Sequence, residues 1–230
     1  MLKQNRVLAA GFRAFAFLLC LAGILDLLGI FAGTFSMRGL LYYTQQSNIL
    51  CLVCFGILLG RSLFDIKSQG KTGPCSYNER FCALVTLSIT VTMVIYWVLL
   101  APKMDLESLL SFMSLQPHLV TPLLMIADYL LFTKPGKLTR RDPLYFALVP
   151  LGYWLQATIL GLSGVVYRTD EVTGAPIHFP YFFIDYDQSG WMVAVYVVVI
   201  ALGFFGAAWL LVWGDRRRAR TSVRKMSVRS

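Results

Sequence analysis

The sequence predicts an all-α polytopic membrane protein, a bundle of six transmembrane helices with both termini in the cytoplasm. Three observations lead to this fold class. Charged residues make up 14% of the 230 residues, against about 25% in ordinary soluble domains. Six apolar runs each approach the roughly 20 residues that a helix needs to cross the hydrocarbon layer. Basic residues concentrate in alternate connections between these runs, as the positive-inside rule predicts.

The six runs are predicted to be helices because a backbone in lipid must satisfy its own polar groups. The short alternating segments of a transmembrane β-barrel do not occur in the sequence. Together the runs form one domain, residues 1–213, which a basic cytoplasmic tail, residues 214–230, follows. The predicted spans are about 14–33, 41–60, 81–100, 113–133, 143–163 and 190–213.

The distribution of positive charge sets the orientation. Eighteen of the 21 lysines and arginines lie before span one, between spans two and three, between spans four and five, or in the tail. The remaining three are Arg38, Lys103 and Arg168. This asymmetry predicts cytoplasmic termini and accounts for the net charge of +9, so no nucleic-acid partner is expected. The tail is expected either to contact anionic lipid head groups or to be solvated.

The first run is interpreted as a span rather than a signal peptide, because it is long enough to cross the membrane and no typical cleavage site follows it. The connection 61–80 contains the sequence Ser-Gln-Gly-Lys-Thr-Gly-Pro, which predicts a flexible cytoplasmic loop. All five cysteines lie within spans or on the cytoplasmic side, so no disulfide is expected. Cys51 and Cys54 have metal-site spacing without a second ligand pair, so they are interpreted as packing residues, and no metal or cofactor is expected.

The connection between spans five and six, residues 164–189, is the longest external one. Its aromatic stretch 178–187 is predicted to lie at the membrane interface, as a lid or as a plain interfacial loop. In span six, Gly203 and Gly206 allow close helix contact within the bundle or between two copies, so the oligomeric state is left open.

Polar residues on three predicted spans share one depth. Thr44, Ser47 and Asn48 have the spacing of one helix face at the outer end of span two. His118 lies about one and a half turns into span four, and Asp26 lies in the outer half of span one. An ionisable side chain at membrane depth is costly, which makes this layer a candidate functional site.

The residue types in this layer suggest nucleophilic catalysis. A threonine hydroxyl becomes an effective nucleophile when an adjacent base removes its proton, and a neutral imidazole is a suitable base. Thr44 is therefore the candidate nucleophile and His118 the candidate base. Asn48 and Ser47 are candidate oxyanion donors, and Asp26 is a candidate for orienting the imidazole. A site in the outer leaflet suits a lipid or fatty-acyl ester substrate.

Each of these residues also has a purely structural interpretation. Thr44 can bond to a carbonyl of the preceding turn, Ser47 and Asn48 can join helices, and Asp26 can be a buried neutral partner. His118 can likewise bond an adjacent carbonyl. The residues predicted to line the substrate cavity, with packing as the alternative, are Tyr43, Tyr153, Gln156, Tyr181 and Asp185.

Three stretches carry a resemblance to a known family: Tyr-Thr-Gln-Gln-Ser-Asn at 43–48, Pro-His-Leu-Val-Thr-Pro at 117–122 with Asp128, and Phe-Pro-Tyr-Phe-Phe-Ile-Asp at 179–185. Together with the six spans, they make the chain similar to the bacterial six-transmembrane relatives of the androgen-induced protein family. The animal members are intramembrane threonine hydrolases of fatty acid esters of hydroxy fatty acids. The resemblance implies a bacterial plasma-membrane protein in which Thr44 is the nucleophile and His118 its partner.

Two other classes of function remain as alternatives. The first is a proton-coupled transporter that uses Asp26, His118 and Asp128 as a relay. The second is a non-catalytic lipid-binding or scaffolding protein in which the polar layer only fixes helix packing. A haem protein is not expected, because His118 is the one histidine within a predicted span and no second axial histidine is available.

Overall fold

The structure, a computed structural model, describes residues 4–170 and 172–227, with side chains described through Thr221. Within these ranges six helices are long and apolar enough to cross a membrane, and the molecule is 75% helical. The prediction of an all-α six-helix bundle is confirmed. Spans one to six are Arg6–Leu27, Tyr43–Gln69, Glu79–Lys103, Phe112–Phe132, Asp142–Leu162 and Met192–Thr221, the last continuing as helix to Ser227.

Short elements cover one end of the bundle, which we call the outer face and define by the connections 28–42, 104–111 and 163–191. An antiparallel hairpin pairs Arg168–Thr169 with Pro176–Ile177. The opposite end, which holds the connections 70–78 and 133–141, is called the basic face. The short helices of the outer face are Arg38–Leu41, Leu106–Leu110, Phe182–Ile184 and Tyr186–Ser189.

Span one begins eight residues earlier and ends six residues earlier than the predicted span 14–33. The helix begins at Arg6, after Asn5 accepts a hydrogen bond from the Leu8 amide, and it ends at Leu27. Gly29 has a φ of 71°, and a Cβ there would collide with the carbonyl oxygen of Thr34. A turn that only glycine accommodates therefore ends the helix, and the apolar residues 28–33 belong to the outer face.

The connection after span two is more ordered than predicted. Span two continues as helix to Gln69, so much of the predicted flexible loop is helical. The Arg6 guanidinium then holds the remainder: Nη1 donates to the Gly70 carbonyl at 3.0 Å and Nη2 to Gln69 Oε1 at 2.8 Å. These bonds satisfy the guanidinium of Arg6, a residue that is only 4% exposed, and they fix the loop against the start of span one.

Span six continues as one helix to Ser227, and so extends into the predicted basic tail. Asp215 is 2% exposed, and its Oδ2 accepts hydrogen bonds from the Gly136 and Leu138 amides at 2.8 and 3.1 Å. Arg218 donates to the Leu130 carbonyl at 2.9 Å. These contacts anchor the basic end of span six to the connection between spans four and five.

Spans one to four pack around a common core, and spans five and six pack on each other and on span three. Two charged side chains lie inside this core: Arg13 donates to both carboxylate oxygens of Asp128, at 2.8 and 3.3 Å, and to Ser62 Oγ at 2.7 Å. The pair joins spans one, two and four near the basic face. Large apolar side chains such as Leu148 and Leu202 are exposed outside the bundle, as expected for a surface that contacts lipid.

Candidate active site

Thr44 lies in the first turn of span two, where a helix leaves its amide groups without helical acceptors. Its amide donates to the hydroxyl oxygen of Tyr181, and its Oγ1 lies 3.4 Å from the same oxygen. The Thr44 side chain is 8% exposed. Tyr181 therefore caps span two, and the threonine hydroxyl faces a tyrosine rather than a carbonyl of the preceding turn.

His118 is held in one orientation by two neighbours. Its Nδ1 lies 2.8 Å from the Ser114 carbonyl oxygen. Because a carbonyl only accepts hydrogen bonds, Nδ1 carries the proton and Nε2 carries the lone pair. The ring stacks on Tyr96 with centroids 3.5 Å apart and an angle of 13° between the planes. The imidazole is thus set in the tautomer that a general base at Nε2 requires.

The local backbone of span four explains this position. Residues Gln116–Val120 form a π-helical turn, closed by the bond from the Thr121 amide to the Gln116 carbonyl. Pro122 has no amide hydrogen, so it leaves the carbonyl of His118, four residues earlier, without a helical donor. The indole nitrogen of Trp97 donates to that carbonyl at 3.0 Å. Widened π turns of this kind often occur at functional sites.

Asn48 connects the two candidate catalytic residues. Its Nδ2 donates to the Thr44 carbonyl at 2.8 Å and to the Pro117 carbonyl at 3.2 Å. This single amide therefore joins the backbones beside Thr44 and His118. The two side chains make their own hydrogen bonds elsewhere, to Tyr181 and to Ser114 respectively. The structure brings the two spans together without a direct bond between the hydroxyl and the imidazole.

An apolar cavity of about 150 Å³ begins at Thr44, roughly ten times what one water molecule needs. It lies between spans three, five and six and extends about 12 Å along span six, from Val197 to Phe205. Tyr96 contacts both parts of the site, since its ring lines this cavity and stacks on His118. The lining residues are Tyr43, Thr44, Val91, Thr92, Ile95, Tyr96, Leu100, Ala147, Pro150, Leu151, Tyr153, Trp154, Tyr181, Phe183, Ile184, Val197, Ile200, Ala201, Phe204 and Phe205.

A second cleft of about 230 Å³ lies between spans two and five. It shares Tyr43 and Tyr153 with the cavity, and the rings of these two residues pack with centroids 5.1 Å apart. They therefore form the wall between cleft and cavity. The other residues that line the cleft are Gln46, Ser47, Ile49, Leu50 and Val149.

The structure corrects three of the predicted supporting roles. Both amide hydrogens of Asn48 are bonded to carbonyls, and Ser47 Oγ bonds the Thr44 carbonyl and Thr92 at 2.9 Å each. Neither side chain is free to donate to an oxyanion. The Ser114 carbonyl orients the imidazole, and among the described residues no hydrogen bond or ion pair joins the Asp26 side chain to that ring.

Two residues predicted to line the cavity lie elsewhere. Gln156 accepts a hydrogen bond from Gln46 at 3.3 Å, which joins spans two and five. Asp185 accepts bonds from the Asp187 and Gln188 amides at 2.9 Å each, as the cap of a short helix. Sequence reasoning in turn missed Tyr96 and Trp97, although a proline four residues after His118 is a signal that its carbonyl needs a partner from outside the helix.

The aromatic segment between spans five and six covers the outer end of the cavity. Phe183 and Ile184 are 7% and 5% exposed and line it together with Tyr181. The Tyr181 and Phe183 rings stack with centroids 5.0 Å apart. Burial raises the pKa of the Tyr181 hydroxyl, so this hydroxyl stays protonated at neutral pH and remains a hydrogen-bond donor.

Gly161 allows the aromatic segment between spans five and six to pack closely on span five. A Cβ at Gly161 would collide with the Phe179 ring and lie 2.9 Å from the His178 carbonyl oxygen. We therefore expect Gly161→Ala to lower the free energy of unfolding by about 1–3 kcal/mol and to expose the connection 163–191 to protease. Gly152→Ala is the matched control, because among the described residues nothing lies within 4 Å of a Cβ there. Equal melting temperatures for both variants would contradict the docking role.

In the described part of the chain, no group of histidine, cysteine, aspartate or glutamate side chains could hold a metal ion. Comparison with protein-family models, with curated proteins and with solved structures finds no match to the chain.

Proposed function

We propose that this protein is an intramembrane hydrolase of fatty-acyl esters, with Thr44 as the nucleophile and His118 as the general base. The observation that carries the proposal is the position of the Thr44 hydroxyl at the outer end of an apolar cavity. An acyl chain in that cavity presents its carbonyl carbon to a hydroxyl. The charge pattern and the resemblance of the sequence support a bacterial plasma membrane as the location.

In the proposed reaction, Thr44 Oγ1 forms a bond to the acyl carbon while its proton passes to Nε2 of His118. Collapse of the tetrahedral intermediate breaks the ester bond, and the departing alcohol takes the proton from the imidazolium. Water then attacks the acyl-threonine, again with His118 as base, and releases the fatty acid. Catalytic hydrogen bonds are often long in a free enzyme and tighten in the complex, so the bond between Thr44 and His118 belongs to the substrate-bound state.

The oxyanion in this proposal is stabilised by the start of span two. The Thr44 amide points at the site from a helix N-terminus, which favours negative charge. In the structure that amide donates to the Tyr181 hydroxyl oxygen at 3.4 Å, so in the proposed complex the oxyanion replaces Tyr181 as the acceptor of the amide, and Tyr181 donates its own hydroxyl proton to the oxyanion. These two donors replace Asn48 and Ser47 in the oxyanion role.

The cleft between spans two and five supports a lateral path for the substrate. An acyl chain that moves from the lipid into this cleft meets the wall formed by Tyr43 and Tyr153. Rotation of either ring would open the cleft to the cavity. The substrate would then never need to leave the membrane, as suits an ester that is insoluble in water.

Covalent labelling tests the nucleophile. We expect a long-chain alkyl fluorophosphonate to add one adduct to the wild-type protein, measured by intact mass and mapped by peptide sequencing to Thr44. Thr44→Val should abolish the adduct. The matched control is Thr92→Val, since Thr92 lines the same cavity but bonds the Ser88 carbonyl and Ser47. A wild-type protein that stays unlabelled, or an adduct elsewhere, would count against catalysis by Thr44.

Lipid binding without catalysis is the second candidate function. One observation favours it: the hydrogen bonds of Thr44 and His118 are satisfied by Tyr181 and Ser114, without each other. In that case the cavity holds an acyl chain and the polar layer only fixes the helices. The transporter alternative has less support, because Asp128 is paired with Arg13 and fully buried instead of continuing a path inward from His118.

A further inference from the structure

The polar groups that face the cavity share one property, which is that they are uncharged. Among the described residues that line it, the polar side chains are hydroxyls, phenols and an indole, and no lysine, arginine, aspartate, glutamate or histidine occurs. The surrounding wall is aliphatic and aromatic. An ion placed there would lose its hydration without gaining a counter-charge, which costs far more than burying a neutral ester.

Three of these groups have unused hydrogen-bonding capacity. Tyr43 Oη, Tyr153 Oη and Trp154 Nε1 are buried, and none of these atoms makes a hydrogen bond of normal geometry with the described residues. The Tyr153 side chain is 8% exposed. A buried donor without an acceptor costs stability, and a ligand that supplies the acceptor would remove this cost. The acceptor that fits a neutral donor is a neutral oxygen, such as an ester carbonyl.

We propose that the cavity selects an acyl chain with an uncharged oxygen-bearing head, and that Tyr153 donates a hydrogen bond to that oxygen. The proposal rests on the hydrolase function and names its substrate class, neutral esters. An ionised carboxylate or a phosphate-bearing head is excluded from the cavity. If the substrate carries a second, charged end, that end remains at the outer face, where Lys103 lies over the Phe182 ring at 3.8 Å.

The same selectivity favours release of the product from the cavity. Hydrolysis converts the neutral ester into a carboxylic acid, which ionises at neutral pH. The resulting carboxylate is disfavoured among uncharged donors and apolar walls, so the product leaves the cavity. The free fatty acid should therefore be a weak product inhibitor at a pH where it is ionised, and a stronger ligand at a pH where it is protonated.

Binding to the full-length Thr44→Val variant tests the selectivity without turnover. Three probes of matched chain length are compared by the shift that each causes in the melting temperature in one detergent: dodecyl methyl ketone, tetradecanoate and tetradecyl phosphocholine. We expect the ketone to bind at least about tenfold more tightly than ionised tetradecanoate, and the phosphocholine to cause no shift. Lowering the pH until tetradecanoate is protonated should restore its binding.

Tyr153→Phe tests the named donor. The variant should weaken ketone binding about threefold to tenfold, while the ligand-free protein melts at the same temperature or higher, because the unsatisfied hydroxyl has been removed. A merely structural tyrosine would lower the melting temperature of the ligand-free protein. Tyr145→Phe, on the same span but 60% exposed, should change neither quantity.

The outcomes separate this proposal from the proposed function. Equal binding of the ketone and ionised tetradecanoate, or no binding of the ketone, would overturn the selectivity, even if the wild-type protein cleaves esters. Unchanged ketone binding by Tyr153→Phe would overturn the role of that hydroxyl. Selective ketone binding by a protein that cleaves no ester would leave the selectivity intact and refute the hydrolase.

Discussion

Asp128→Ala is expected to lower the free energy of unfolding by about 3–5 kcal/mol, which is the usual cost of leaving one member of a buried ion pair unpaired. Arg13 is 1% exposed and Asp128 is fully buried. The Arg13 guanidinium donates to both oxygens of Asp128 and to Ser62. Removal of the carboxylate leaves the Arg13 guanidinium without a counter-charge in the core near the basic face, where neither water nor a lipid head group reaches it.

Two comparisons make this prediction specific. The stability of each variant is measured as its unfolding by SDS titration or by heat in one detergent. The double variant Arg13→Met with Asp128→Leu should recover most of the loss, because a well-packed apolar replacement of a buried pair is often neutral or stabilising. Arg61→Met removes an arginine that is 46% exposed from its pair with Asp65, and it should change stability by less than about 1 kcal/mol. A loss for Arg61→Met as large as that for Asp128→Ala would refute the interpretation.

His118→Gln is expected to lower the turnover of a long-chain ester by about 10²–10⁴-fold, the range that general base catalysis contributes. Glutamine can still donate to the Ser114 carbonyl, so the anchor of the side chain is kept while the base is lost. The melting temperature should therefore stay close to that of the wild type. Turnover is measured with a chromogenic long-chain ester in mixed micelles.

His178→Gln is the control for this experiment. His178 lies in the connection between spans five and six, with Nδ1 at 3.3 Å from the Val165 carbonyl oxygen, and we expect its variant to keep full turnover. If His118→Gln also retained turnover, the imidazole would not be the base, and the stacking on Tyr96 would be structural. If both activity and stability fell together, the lipid-binding function would become the better explanation.

Hydropathy predicts that the six spans exist, but it does not predict where each helix begins and ends. Hydropathy predicted six helices because a backbone in lipid leaves no alternative to a closed hydrogen-bonding pattern. It misplaced span one, since the apolar residues 28–33 pass the same test although Gly29 has already ended the helix. It also read the connection after span two as flexible, because nothing in its composition shows that Arg6 binds its carbonyls.

The candidate site was predictable only in part, for a similar reason. Residue type and depth singled out Thr44 and His118 from their own spans. Their neighbours come from distant parts of the chain: Tyr181 is 137 residues from Thr44, and Tyr96 belongs to span three. Ser47 and Asn48 were predicted to donate to an oxyanion because they lie on the same helix face as Thr44. Their position in the sequence does not show that their hydrogens are already bonded to carbonyls.

The amino-acid sequence by itself determined that the chain forms six membrane-spanning helices and which polar groups those helices carry, because both follow from local composition and the cost of burying polar groups in lipid. Only the tertiary structure decided which partners these groups have, where the cavity lies and that its lining is uncharged. Apolar periodicity places a residue inside the bundle, but the rotation of each helix and the docking of the outer segment decide what it meets there.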